Sequence, residues 1–126
     1  MPRRVFGERV LDTDWLISEG NGEQSRGQGV LAADAVNTRL SGTVLGKVTA
    51  TGQLAPYNPA GADGTQNFEA ILLLRQEASA TTTRVSTIER NAEVNDWKLT
   101  YVNALTAPQK ATLVAAAAAK GILIRT

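Results

Sequence analysis

From residue 40 onward the apolar positions come in short bursts separated by glycine, proline and small polar residues, the pattern of a compact domain of short strands. Val44, Leu45, Val48 and Thr49 lie between Gly42 and Gly52 and predict a strand running into a turn at 50–52. Residues 54–59 carry Pro56 and Pro59 around Tyr57, which confines them to an edge or an extended non-strand path. Asp63-Gly64 marks a turn within a loop at 60–65. Residues 70–74 are an unbroken apolar run of strand length, predicted to be buried on both faces. Residues 81–90 are rich in β-branched but polar side chains, as a half-exposed strand is. Residues 94–102 place Trp97, Leu99 and Tyr101 on one face at period two, and with so few aromatics available the three are expected in the core. One helix is explicit. Thr106 and Gln109 form a capping box, Pro108 occupies the first turn, alanines fill the body to Lys120, and Gly121 suits the left-handed exit. Ile122, Leu123 and Ile124 then predict a last strand.

The first 39 residues read differently. Residues 18–29 contain four glycines and no apolar side chain, so ordering them alone has little burial to offset its entropy. They are flanked by Trp15-Leu16-Ile17 and Val30-Leu31-Ala32, two apolar patches that need a partner surface. The segment is either an arm that orders on binding or a loop joining two short strands. The arm is preferred, because two short patches do not sustain a sheet by themselves. The expected organisation is an arm at 1–39 and a compact domain at 40–126. The expected fold class is mainly β (α+β minor), a small domain with one C-terminal Ala-rich helix and an extended N-terminal arm.

The chain of 126 residues has no cysteine and no histidine. That excludes disulfide frameworks, Cys/His zinc sites and any triad with an imidazole base. Thirteen basic and twelve acidic residues leave a formal charge of +1 with no basic block, which argues against nucleic acid as a partner. Arg3 and Arg4 are not followed by the apolar core of a signal peptide, and no apolar run approaches the length of a membrane span. Soluble protein made in the cytoplasm is the expectation. Asp12 and Asp14, two apart, could share a cation but read as a solvated acidic patch. Asp63 lacks the spacing of a calcium loop, and Glu89 with Glu93 lacks an aromatic-lined cleft. No catalytic residue, metal ligand or cofactor site is assigned.

Several segments together carry a resemblance. Residues 15–22 (WLISEGNG) with Ser25-Arg26, then 40–48 (LSGTVLGKV), 57–66 (YNPAGADGTQ) and the apolar Ala70-Ile71-Leu72 form one part of it. Residues 90–95 (RNAEVN) and 105–110 (LTAPQK), through Gly121-Ile122, complete it. In order and spacing the chain resembles the lambda-type head decoration proteins of tailed bacteriophages, over residues 15–125. The resemblance implies a non-enzymatic cement protein without cofactors. Trimers of such proteins sit on the outer capsid surface at three-fold and quasi-three-fold positions and stabilise the expanded head against packaged DNA. It further implies an N-terminal arm that orders on the major capsid protein by strand addition. The sequence departs from the family picture in its charged residues 1–14 and its polar region 81–90.

On that basis the expected capsid contacts are Trp15, Leu16, Ile17, Ser25 and Arg26, with packing of Trp15 onto its own domain as the alternative. The expected trimer contacts are Tyr57 and Pro59 with Ala116 and Ala119 of the helix. The expected partners are the major capsid protein and the chain itself as a homotrimer, with no nucleic acid and no membrane. The expected location is the outer surface of the virion capsid, after synthesis in the host cytoplasm. The rival classes are a virion surface module for a host glycan or receptor, which needs exposed aromatics lining a groove, and a small carboxylate hydrolase.

Overall fold

The structure, a computed structural model, describes residues 14–20 and 24–125. Eight strands and one α-helix follow in order: β1 Leu16–Glu19, β2 Arg26–Leu31, β3 Val44–Lys47, β4 Leu54–Pro56, β5 Phe68–Leu72, β6 Thr83–Ile88, β7 Ala92–Asn95, α1 Ala107–Ala119 and β8 Ile122–Arg125. A 3-10 turn, Asp96–Lys98, follows β7. The domain is mainly β, as the burst pattern predicts.

Five strands close a barrel in the order β2-β4-β3-β5-β6, and β1, β7 and β8 form a separate three-stranded sheet with β7 in the middle. The alternating faces of the barrel strands build two cores. Leu31, Leu45, Leu54, Leu72 and Val85 make one cluster. Val44, Phe68, Ile71 and Ile88 point the other way and join Trp15, Val94, Leu99, Leu113 and Ile122 in a larger one. Neighbouring residues of β3 and β5 thus serve opposite cores. This is why 70–74 reads as continuous apolar sequence: Ile71 faces the sheet and helix while Leu72 faces the other cluster.

Helix α1 follows its sequence signals closely. The Thr106 hydroxyl accepts the Gln109 amide at 3.3 Å, and the Gln109 side chain accepts the Thr106 amide at 2.9 Å. Its exit needs a left-handed residue, and Gly121 has φ of 80°. Only Leu113 and Ala117 of the helix are buried. The capping box therefore carries a larger share of its stability than burial does in most helices.

The boundary expected at residue 39 is not a break in the described structure. β2 pairs residue by residue with β6 from Arg26↔Ile88 to Leu31↔Thr83 and so closes the barrel. β1 pairs antiparallel with β7, with a bulge between Leu16 and Ser18. Hydrogen bonds tie Gly20, Ser25 and Arg26, at the described ends of β1 and β2, to their surroundings. The Ser25 hydroxyl accepts from the Gly20 amide at 2.6 Å and donates to the Asn91 carbonyl at 2.7 Å. Arg26 grips both oxygens of Glu19 at 2.9 and 3.0 Å. Two short patches do not sustain a sheet alone, but each here adds to strands from the C-terminal half.

The period-two reading of 94–102 also needs correction. The Asn95 side chain accepts the Trp97 amide at 3.0 Å, which turns the chain out of β7 into the 3-10 turn. Leu99 stays buried, but Trp97 is left 82% exposed rather than in the core.

Candidate functional site

Two neighbouring surfaces take shape around Asp14 and Trp15. The first is the outer edge of β1. Trp15 fixes this strand from behind. Its side chain is 1% exposed, and its indole N–H donates to the Ser41 hydroxyl at 2.9 Å, which in turn donates to the Leu73 carbonyl at 2.7 Å. The Asn95 amide donates to the Trp15 carbonyl at 2.7 Å. A β-carbon at position 42 would stand 2.7 Å from the indole, so Gly42 makes the room for it. Trp15 and Ser25 are interior side chains here, not surface ones: the one fills the larger core and the other ties β1 to the turn before β7. Of the five expected capsid contacts, Ile17 and Arg26 are exposed and Leu16 is half-buried against the core.

The second surface is the 3-10 turn. Asp96 accepts from the Tyr101 hydroxyl, and both its oxygens accept from the Lys110 ammonium at 3.0 Å. Lys110 also lies 4.6 Å from the centre of the Tyr101 ring. Burial, first, and the Asp96 carboxylate, second, push the Tyr101 hydroxyl far above its ordinary value, so it stays a hydrogen-bond donor. On the other side Lys98 pairs with Asp14 at 3.4 Å. Between these ties stands the exposed indole of Trp97.

Of the expected trimer residues, Tyr57 is 4% exposed with its ring in the larger core, and its carbonyl accepts from the Asn103 side chain at 3.1 Å. Pro59 and Ala116 are half-buried, and Ala119 is exposed near the end of α1.

Each described carboxylate weighed for chemistry has a structural partner. Asp12 lies outside the described residues, and Asp14 meets Lys98. Asp63 accepts from the hydroxyl of Thr65 at 2.6 Å and from its amide at 3.2 Å, bonds that hold its carboxyl below the ordinary range. Glu89 meets Arg90 and the Thr87 hydroxyl, and Glu93 meets Arg125 at 3.0 Å. The two glutamates are turned to different partners and form no acid/base pair. Trp97 is the one exposed aromatic among the described residues, so no aromatic-lined groove forms there.

Sequence reasoning missed Trp97 as a surface residue; the local signal was Asn95-Asp96, a pair that favours turns over strands. A search among curated proteins returns no match. A family model described as bacteriophage lambda head decoration protein D matches residues 5–122, nearly the whole chain. With a β-rich domain and a family match of that length, this chain belongs to the bacteriophage lambda head decoration protein D family.

Proposed function

We propose that the chain is a non-enzymatic cement protein whose trimers bind the outer surface of the expanded phage head at three-fold and quasi-three-fold positions, and stabilise it against packaged DNA. The family match over 5–122 carries this reading. The major capsid protein is the partner, and attachment is by strand addition from the N-terminal side.

The structure's energetics bear on where the attaching arm ends. Pulling Trp15 out of the core costs about 3–5 kcal/mol, the usual loss for emptying a buried Trp or Phe site. Pulling β2 away would also open the barrel along its whole pairing with β6. An arm reaching to residue 39 would lose both. On this reading Trp15 and β2 stay in the folded domain on attachment, and residues 1–13 of the expected arm lie outside the described residues. Among the described strands β1 has one partner, β7, so its other edge can accept an added strand beside Ile17. Three such arms on a trimer multiply a weak contact, because the second and third bind at high effective concentration. Ala119 and the outer side of α1 are the proposed contact between copies.

The test is co-sedimentation with undecorated expanded heads of the phage that carries this chain, comparing full-length protein with a variant lacking residues 2–13. Full-length binding that falls at least tenfold in the deletion, with the circular dichroism melt unchanged, supports the arm. Equal binding by both places the attachment in the folded domain alone.

A further inference from the structure

We propose that Asp63-Gly64 is a latent site of spontaneous backbone modification, an aspartyl-to-isoaspartyl isomerisation that the loop around it holds off while folded. The fold itself asks for this dipeptide. Gly64 has φ of 109°, and a β-carbon there would stand 2.4 Å from the Lys47 carbonyl oxygen and 2.7 Å from the Thr49 amide nitrogen. Glycine alone suits that backbone and that contact. Asp63 is tied as well: its carboxylate accepts from the Thr65 hydroxyl at 2.6 Å and the Thr65 amide at 3.2 Å, and its carbonyl accepts from the Thr49 amide at 2.9 Å. The same pairing is chemically labile, because glycine puts no side chain in the way when its nitrogen closes a ring on the preceding aspartate.

In that reaction the Gly64 nitrogen, having lost its proton to solvent base, attacks the side-chain carboxyl carbon of Asp63. A C–N bond forms, a protonated carboxyl oxygen leaves as water, and a five-membered succinimide results. Water then reopens the ring at either carbonyl. Opening on the main-chain side routes the backbone through the β-carbon, so the product is an isomer with no net gain or loss of atoms. The folded loop opposes both partners in the attack. The nucleophile is engaged, since Gly64 is buried and its N–H donates to Gln66 Oε1 at 2.8 Å. The electrophile is kept as the carboxylate by its two bonds from Thr65, and that form loses an oxygen least readily. The reaction therefore follows the fraction of molecules in which the loop is open. An isoaspartate would add a backbone carbon beside the close contact with Lys47 and Thr49 and shorten the group that caps Thr65, so the loop would not close again as before.

The experiment ages full-length protein at neutral pH and body temperature beside a synthetic peptide of residues 58–69. Isoaspartate at position 63 is read by proteolysis, chromatography and electron-transfer fragmentation, which separates the two isomers of equal mass. Folded wild type should isomerise at least about tenfold more slowly than the peptide, and its Gly64 amide should exchange hydrogen more slowly by a similar factor. Gln66→Ala should raise the rate about three- to tenfold, the factor that one ordinary hydrogen bond represents. Gln66→Glu, whose carboxylate also accepts the Gly64 N–H, should stay within about twofold of wild type. Wild type that isomerises as fast as the peptide overturns the inference, and so does a folded Q66A that ages at the wild-type rate. If Q66A does not fold, the wild-type exchange decides: an unprotected Gly64 amide overturns the inference and a protected one upholds it. Every arm is read without phage heads, so the result is independent of the decoration reading.

Discussion

Replacing Trp15 with alanine tests whether residues 15–39 belong to the folded domain or to a detachable arm. The indole is 1% exposed, sits in the larger core with Val94, Leu99 and Ile122, and bonds to Ser41 at 2.9 Å. Core Trp→Ala and Phe→Ala changes cost about 3–5 kcal/mol. The Ser41 hydroxyl keeps its bond to the Leu73 carbonyl, so no orphaned donor adds to that figure. Against a total stability of about 5–15 kcal/mol for a domain of this kind, the loss is a large fraction. At about 3–5 °C per kcal/mol for a chain of this size, the melting temperature should fall by roughly 10–20 °C. Far-ultraviolet circular dichroism with urea titration measures it directly, since fluorescence would lose one of its two tryptophans. If W15A melts within about 3 °C of wild type yet no longer binds heads, Trp15 is a capsid contact on a detachable arm and the reasoning from burial is refuted.

Three further outcomes follow from single features. A β-carbon at position 46 would lie 2.5–2.9 Å from the Thr65 backbone, which cannot swing aside as a side chain can; Gly46→Ala should cost at least about 1–3 kcal/mol in a urea titration. Thr106→Ala should cost about 0.5–2 kcal/mol and Thr106→Ser much less, since serine can also make the capping bond that stabilises α1. Asp34 accepts from the Asn37 side chain, the Val36 and Asn37 amides and Arg39, which hold its carboxyl down at about 2. Its folded value is depressed, so its contribution is complete above the ordinary carboxylate value of about 4 and is lost as pH falls toward about 2. Thermal melts of Asp34→Asn should therefore show a shallower pH dependence than wild type across that window.

The sequence made the local devices legible and hid the long-range pairing. The capping box, Pro108 and Gly121 mark α1 because every signal lies within a few residues of what it controls. The apolar run in β5 announces burial on both faces for the same reason. β2 was unreadable because its glycines mimic a flexible tract. In the fold, a β-carbon on Gly27 would fall 1.8 Å from the Glu89 carboxylate, and one on Gly29 would fall 2.6 Å from Leu54. The glycines there give room for close approach, and that need appears only once β2 meets β6 and β4. Trp15 belonged to the same hidden pairing. Its partners Ser41, Leu73 and Asn95 are 26 or more positions away, so nothing beside it said whether it pointed in or out. Trp97 failed differently: alternation with Leu99 and Tyr101 suggested a strand face, but Asn95 ends β7 and turns the indole outward. The exposed surface was the least legible, because the side chains it presents depend on both of these features.

The central claim is attachment to the outside of the phage head, and electron cryomicroscopy tests it most directly. Undecorated expanded heads would be mixed with excess purified chain and reconstructed beside untreated heads. The account expects added density on the outer surface at the three-fold and quasi-three-fold positions, three copies to a knob. Heads that gain no density, or gain it only at other positions, would contradict it.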